Sequence, residues 1–127
     1  MNVLAQVLAG AAGLIHVLIF VMESVRFPRD VKVQAGFRVA PEDVNAVRPW
    51  AFNQGFYNLF LAIGIVLGLA QFWTGHHVAG RTLLAFSCAC MLGAAVVLIA
   101  TDRRMLRGAL LQGVAPALAL IALGFGS

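Results

Sequence analysis

Charge is what this sequence has least of. Asp, Glu, Lys and Arg together make up 11% of its 127 residues, and only five of them are acidic. A soluble domain carries about a quarter, so these side chains do not cover a water-facing surface, and lipid is the expected solvent. Cysteine is equally scarce. Cys88 and Cys90 stand about 200° apart on a helix and are poorly placed to bond one another. They read as small apolar residues rather than as a redox or structural pair. The sequence has no phosphate-cradling glycine loop, no nucleophile-elbow pattern, no dinucleotide motif and no haem or zinc ligand set. Hydrolysis, phosphoryl transfer and redox chemistry therefore receive little support, and no cofactor and no metal is expected. His76 and His77 are adjacent but without nearby thiolates or carboxylates, a weak metal signal.

What is abundant is apolar sequence. Hydrophobic residues make up 61% of the chain. They fall into four runs that predict helices at about 3–23, 50–73, 80–101 and 108–125, each near the ~20 residues that cross ~30 Å of hydrocarbon. Lipid offers the backbone no hydrogen-bond partners, so spanning segments close their own bonds as helices. The expected fold is all-α: one integral membrane bundle of four helices forming a single domain over 1–127. The first run has no basic start and holds a histidine and a terminal glutamate, so it reads as a span and not a leader.

Arginine and lysine set the orientation. Arg26, Arg29, Lys32, Arg38 and Arg48 separate the first two runs, and Arg103, Arg104 and Arg107 separate the last two. Those two loops share one side and hold eight of the nine basic residues, with Arg81 alone opposite. The positive-inside rule then places both loops in the cytoplasm and both termini outside. The formal charge of +4 reflects orientation and anionic lipid headgroups rather than nucleic acid. Within the first loop, the alternation in DVKVQAGFRV around Ala35-Gly36 is compatible with a small hairpin, and PEDVNAVRPW suits a short helix opened by Pro41. That loop either covers the end of the bundle or lies at the interface with its charges solvated.

Depth along the helices, at ~1.5 Å per residue, gathers the polar groups. Glu23 ends the first helix, and His16 lies roughly 10 Å deeper on the same face. The second helix starts at that boundary, with Asn53 and Gln54 level with Glu23, and Tyr57 and Asn58 level with His16. Gln112 on the fourth helix falls between those levels, and Thr101 closes the third at the boundary. A polar pocket in the cytoplasmic half accounts for this clustering. Asn53 and Tyr57 stack on one stripe, Gln54 and Asn58 on its neighbour. Small-residue ridges at Ala9/Gly13, Gly64/Gly68 and Ala85/Ala89/Gly93 suit close helix packing in a monomer or a homodimer. Each amide also has a plain use as interhelical glue, and Glu23 as a boundary residue paired with Arg26. An ionisable group as deep as His16 is a functional candidate by default.

The H-x6-E of the first helix, NQGFYNLFLAIG in the second, the Thr101 end of the third and QGVAPALAL in the fourth resemble domain-of-unknown-function family 1304 (DUF1304), small bacterial membrane proteins. The resemblance covers nearly the whole chain. It implies a four-helix protein of the bacterial inner membrane and points to His16, Glu23, Asn53, Gln54, Tyr57, Asn58 and Gln112. Phe27 stands where the family pattern leads one to expect tryptophan.

Three functions are compatible with these residues. The first is acid–base, isomerase-like chemistry on a lipophilic small molecule, with His16 and Glu23 as catalytic acid and base and Asn53, Gln54, Tyr57, Asn58, Thr101 and Gln112 as ligand-binding residues. The second is non-catalytic binding or transport of such a molecule. The third is a structural bundle, whose only partners are membrane lipids.

Overall fold

A computed structural model describes residues 1–125. Four long helices form the bundle: α1 (Val3–Phe20), α3 (Val44–Trp73), α4 (His77–Thr101) and α5 (Leu106–Phe125); a short α2 (Val31–Gly36) lies between α1 and α3. Four segments, Val3–Arg26, Pro41–Trp73, His77–Thr101 and Arg103–Phe125, are long and apolar enough to cross a membrane, with mean hydropathies of 1.7 to 2.5. The four long helices form a ring. α3 and α5 each pack on both α1 and α4, which face one another across the diagonal.

The core is built from small residues at helical spacing. Ala5, Ala9, Ala12 and Gly13 face inward on α1; Gly55, Asn58, Ala62, Ile65 and Gly68 on α3; Ala109, Gly113, Pro116, Ala119 and Ala122 on α5. Large apolar side chains such as Leu14, Val66 and Phe86 point outward and are exposed. In lipid, an outward leucine is already solvated by hydrocarbon, so small inward residues that let backbones approach give the packing energy. The backbones of α3 and α4 approach closely at Gly68 and Gly80. A Cβ at Gly80 would lie 2.7 Å from the Gly68 carbonyl oxygen and 2.7 Å from the Phe72 nitrogen. The ridges at Ala9/Gly13 and Gly64/Gly68 face neighbouring helices. The ridge expected at Ala85/Ala89/Gly93 does not: Ala89 and Gly93 are exposed, and α4 turns Gly80, Leu84, Ser87, Cys88, Met91 and Ala95 inward.

Residues 24–50 contain no hairpin. Asp30 caps α2 by accepting from the Lys32 and Val33 amides at 2.9 and 3.4 Å, and a carboxylate that caps a first turn favours helix over strand. Arg38 ends that helix in the left-handed region, at φ 60°, with the Val39 amide bonded back to the Gln34 carbonyl at 3.1 Å. The helix expected from Pro41 starts as a 3-10 turn, Pro41–Asp43, and continues without a break into α3, so Pro49 lies inside that helix. The loop has its own small core. Phe27, Val33 and Val44 are buried, and Phe27 meets Phe37 edge-on at 6.0 Å. At the opposite end, Trp73 Nε1 donates to Gln6 Oε1 at 2.7 Å and Arg81 donates to the Leu123 carbonyl at 3.0 Å.

Candidate functional site

After Phe20, α1 widens into a π-helical turn, Val21–Arg26, in which the Phe27 amide reaches the Met22 carbonyl five residues back at 2.8 Å. Such turns re-aim side chains and recur at functional sites. Glu23 and Ser24 lie within it and lock α1 to α3. Ser24 Oγ donates to the Phe52 carbonyl at 2.7 Å. Gly55 makes room for this contact, because a Cβ there would overlap Ser24 Oγ. One turn further, Asn58 Nδ2 donates to Glu23 Oε1 at 2.5 Å and to its own helix at the Gln54 carbonyl at 3.2 Å. Glycine and asparagine at these two places thus explain part of the NQGFYN segment.

Beside this junction is a cavity of about 710 Å³, open at one end of the bundle. α1 and its π turn supply Ile19, Met22 and Glu23; α3 supplies Gln54 and Asn58; α4 supplies Ala94, Val97, Leu98 and Thr101; α5 supplies Gly108, Leu111 and Gln112. α2 and the residue after it close part of the mouth with Lys32, Val33, Gly36 and Phe37. The walls are mainly aliphatic, with polar groups at a few points, the general character of a small-molecule site.

Of the residues singled out in the sequence, Glu23, Gln54, Asn58, Thr101 and Gln112 meet at this cavity. Asn53 and Tyr57 do not line it. Both are exposed, whereas Asn58 is buried and Gln54, though exposed, lines the cavity. The Thr101 hydroxyl is bonded to the Val97 and Leu98 carbonyls of its own helix at 2.9 and 3.0 Å. His16 is fully buried and lies one turn beyond Ile19, off the cavity wall. Its Nδ1 is 2.8 Å from the Ala12 carbonyl oxygen. A carbonyl only accepts, so Nδ1 carries the proton and, in the neutral ring, Nε2 is an acceptor. Nε2 has no partner.

The electrostatics are one-sided. Among the described residues Glu23 has no cation partner: Arg26 pairs instead with Asp30 at 2.6 Å, and Arg104 pairs with Asp102 at 3.0 Å. Those two pairs lie outside the cavity. The Arg26 guanidinium holds the exposed Asp30 carboxyl below its ordinary range, and Arg104 does the same to Asp102. Pro116 lies inside α5, one turn beyond Gln112. It has no N–H to give the Gln112 carbonyl four residues earlier, so that oxygen lacks its helical donor.

Sequence reasoning missed three contributors. Lys32 read only as a loop charge, and its place at the mouth follows from α2 being a helix. Ser24 carried no signal of its own. Gly55 was quoted within a motif, but its partner across the interface is invisible in one dimension. Cys88 is buried and Cys90 half-buried, both as free thiols, and no group of three metal-ligand side chains occurs among the described residues.

No curated protein and no solved structure matches the chain. The family described as "Protein of unknown function (DUF1304)" matches residues 10–124. The asparagine, glycine and glutamate that join α1 to α3 all lie within that match, and the chain belongs to the DUF1304 family.

Proposed function

We propose that this protein binds a lipophilic small molecule in the cavity between α1, α3, α4 and α5. The polar end of the molecule lies at Glu23, Gln54, Asn58 and Gln112, and its apolar body lies along α4 and α5. The observation that carries this reading is a carboxylate without a counter-ion among the described residues, Glu23, grouped with side-chain amides on the wall of a mainly apolar cavity of about 710 Å³.

A second reading, acid–base chemistry on the bound molecule, is favoured by the His16 tautomer. Its Nε2 is a buried acceptor one turn from the cavity wall, and Glu23 is a proton-exchanging group at the wall itself. In orientation, the basic loops 24–50 and 102–107 face the cytoplasm, both termini face out, and the membrane is the bacterial inner membrane. Membrane lipids surround the exposed apolar faces, and the protein is a monomer or homodimer.

Mass spectrometry of small molecules copurified with the intact protein tests the binding reading, against His16→Ala and Glu23→Gln matched for thermal stability. A lipophilic molecule held by the parent and lost from Glu23→Gln supports it. No molecule in any sample, with both variants less stable, sinks it and leaves the structural role. Loss from His16→Ala as well brings the acid–base reading forward. A C-terminal reporter active only outside the cytoplasm tests the orientation.

A further inference from the structure

From the groups that face the cavity, we infer that the ligand is a cationic amphiphile, an amine with a single hydrophobic tail, whose ammonium sits against Glu23. This rests on the binding reading above and names its ligand class. Among the described residues, Glu23 is the charged group that the bundle's long helices bring to the cavity without an ion-pair partner, beside the Gln54 and Gln112 amides, which can donate or accept. Glu23 receives one hydrogen bond among the described residues, from Asn58, and no cation among them lies within ion-pair distance. The Gln112 carbonyl lacks its helical donor because residue 116 is proline.

A carboxylate on a mainly apolar wall is well matched by a positive charge that also donates hydrogen bonds. A protonated amine supplies both in one group: three N–H donors and a compensating charge. Lys32 is the cavity's one basic residue and argues weakly for an acidic ligand. It is exposed, so water already solvates its ammonium, and it sits at the mouth on α2 rather than within the bundle. The tail has an aliphatic path along Ala94, Val97 and Leu98 of α4 and Leu111 of α5.

The test uses the full-length protein in zwitterionic nanodiscs, which removes attraction of amines to anionic lipid. Decylamine, decanol and decanoate are the probes. Binding is read by native mass spectrometry and by the shift in unfolding temperature. Decylamine is expected to bind most tightly, and Glu23→Gln to weaken it about tenfold or more, the loss of one charge-assisted hydrogen bond. Lys32→Gln removes a like charge from the mouth without touching the bundle, and is expected to tighten decylamine binding. It keeps the question answerable if Glu23→Gln folds poorly.

Decanol or decanoate binding as tightly as decylamine overturns the inference while leaving the binding reading standing. So does decylamine binding that neither substitution alters. Binding of none of the three probes to the parent overturns both.

Discussion

Replacing Gly55 with alanine tests the contact that fixes the cavity's edge. The added Cβ would overlap Ser24 Oγ and lie 2.9 Å from Ser24 Cβ and 3.0 Å from the Ser24 backbone nitrogen. A rotamer change moves the hydroxyl but neither of the other two atoms, so α1 and α3 must separate. Overpacking of this kind costs about 1–3 kcal/mol. Losing the Ser24–Phe52 bond adds ~0.6 kcal/mol, the average for an interhelical hydrogen bond in a membrane. The better helix propensity of alanine returns up to ~1 kcal/mol. The net expectation is a loss of about 1–3 kcal/mol. Gly93→Ala is the internal control, because nothing lies within 4 Å of a Cβ there. It should be neutral or slightly stabilising. Cys88 is fully buried and Cys90 half-buried, so in a Cys90→Ala background a thiol-reactive dye that becomes fluorescent as the bundle opens reports unfolding. Ser24→Gly combined with Gly55→Ala should recover part of the loss, since only the backbone nitrogen then remains close. Equal unfolding temperatures for Gly55→Ala and Gly93→Ala would refute the close approach. They would also remove the reason given for glycine at this position.

Two further outcomes follow from the same geometry. Gly80→Ala should destabilise more than Gly55→Ala in the dye assay, because both nearest atoms are backbone and a helix–helix separation is the only relief. At the α2 cap, Asp30 has its pKa lowered from the ordinary 3.8, chiefly by the Arg26 hydrogen bond. A depressed folded value means the cap is at full strength above about pH 4 and is lost as pH falls through the lowered value. Hydrogen exchange at the Lys32 and Val33 amides should therefore accelerate below that point. In Asp30→Asn, which still caps but does not titrate, the acceleration should vanish; its persistence there would assign it to another group.

Much of the candidate site was legible in one dimension because helices convert sequence distance into depth. Glu23, Gln54, Asn58, Thr101 and Gln112 were placed at one end by counting 1.5 Å per residue, and the structure sets all five on one cavity wall. Azimuth was less legible. The stripes 53/57 and 54/58 differ by one residue, about 100° of rotation, and both carry polar groups, so periodicity does not say which meets the cavity. Only the docking of α3 against α1 through Gly55 and Ser24 decides it. His16 shows the same limit: its depth was readable, but its position behind the wall was not, because the π turn at Val21–Arg26 changes the angular register between it and Glu23.

The sequence by itself determined the solvent, the number of long helices and the end at which the polar groups gather. Each of these depends on composition and on position along a chain whose backbone must bond itself in lipid. Tertiary structure alone decided that residues 31–36 are helical and roof the cavity. Alternation on so short a segment fits strand and helix about equally well, and the choice falls to the Asp30 cap and to the packing of Val33 against Phe27 and Val44. It also decided that the Ala89/Gly93 ridge faces outward and that Glu23 is left without a cation among the described residues. Which arginine a carboxylate meets depends on where chains separated in sequence come to rest, and here Arg26 is held by Asp30, four residues further on.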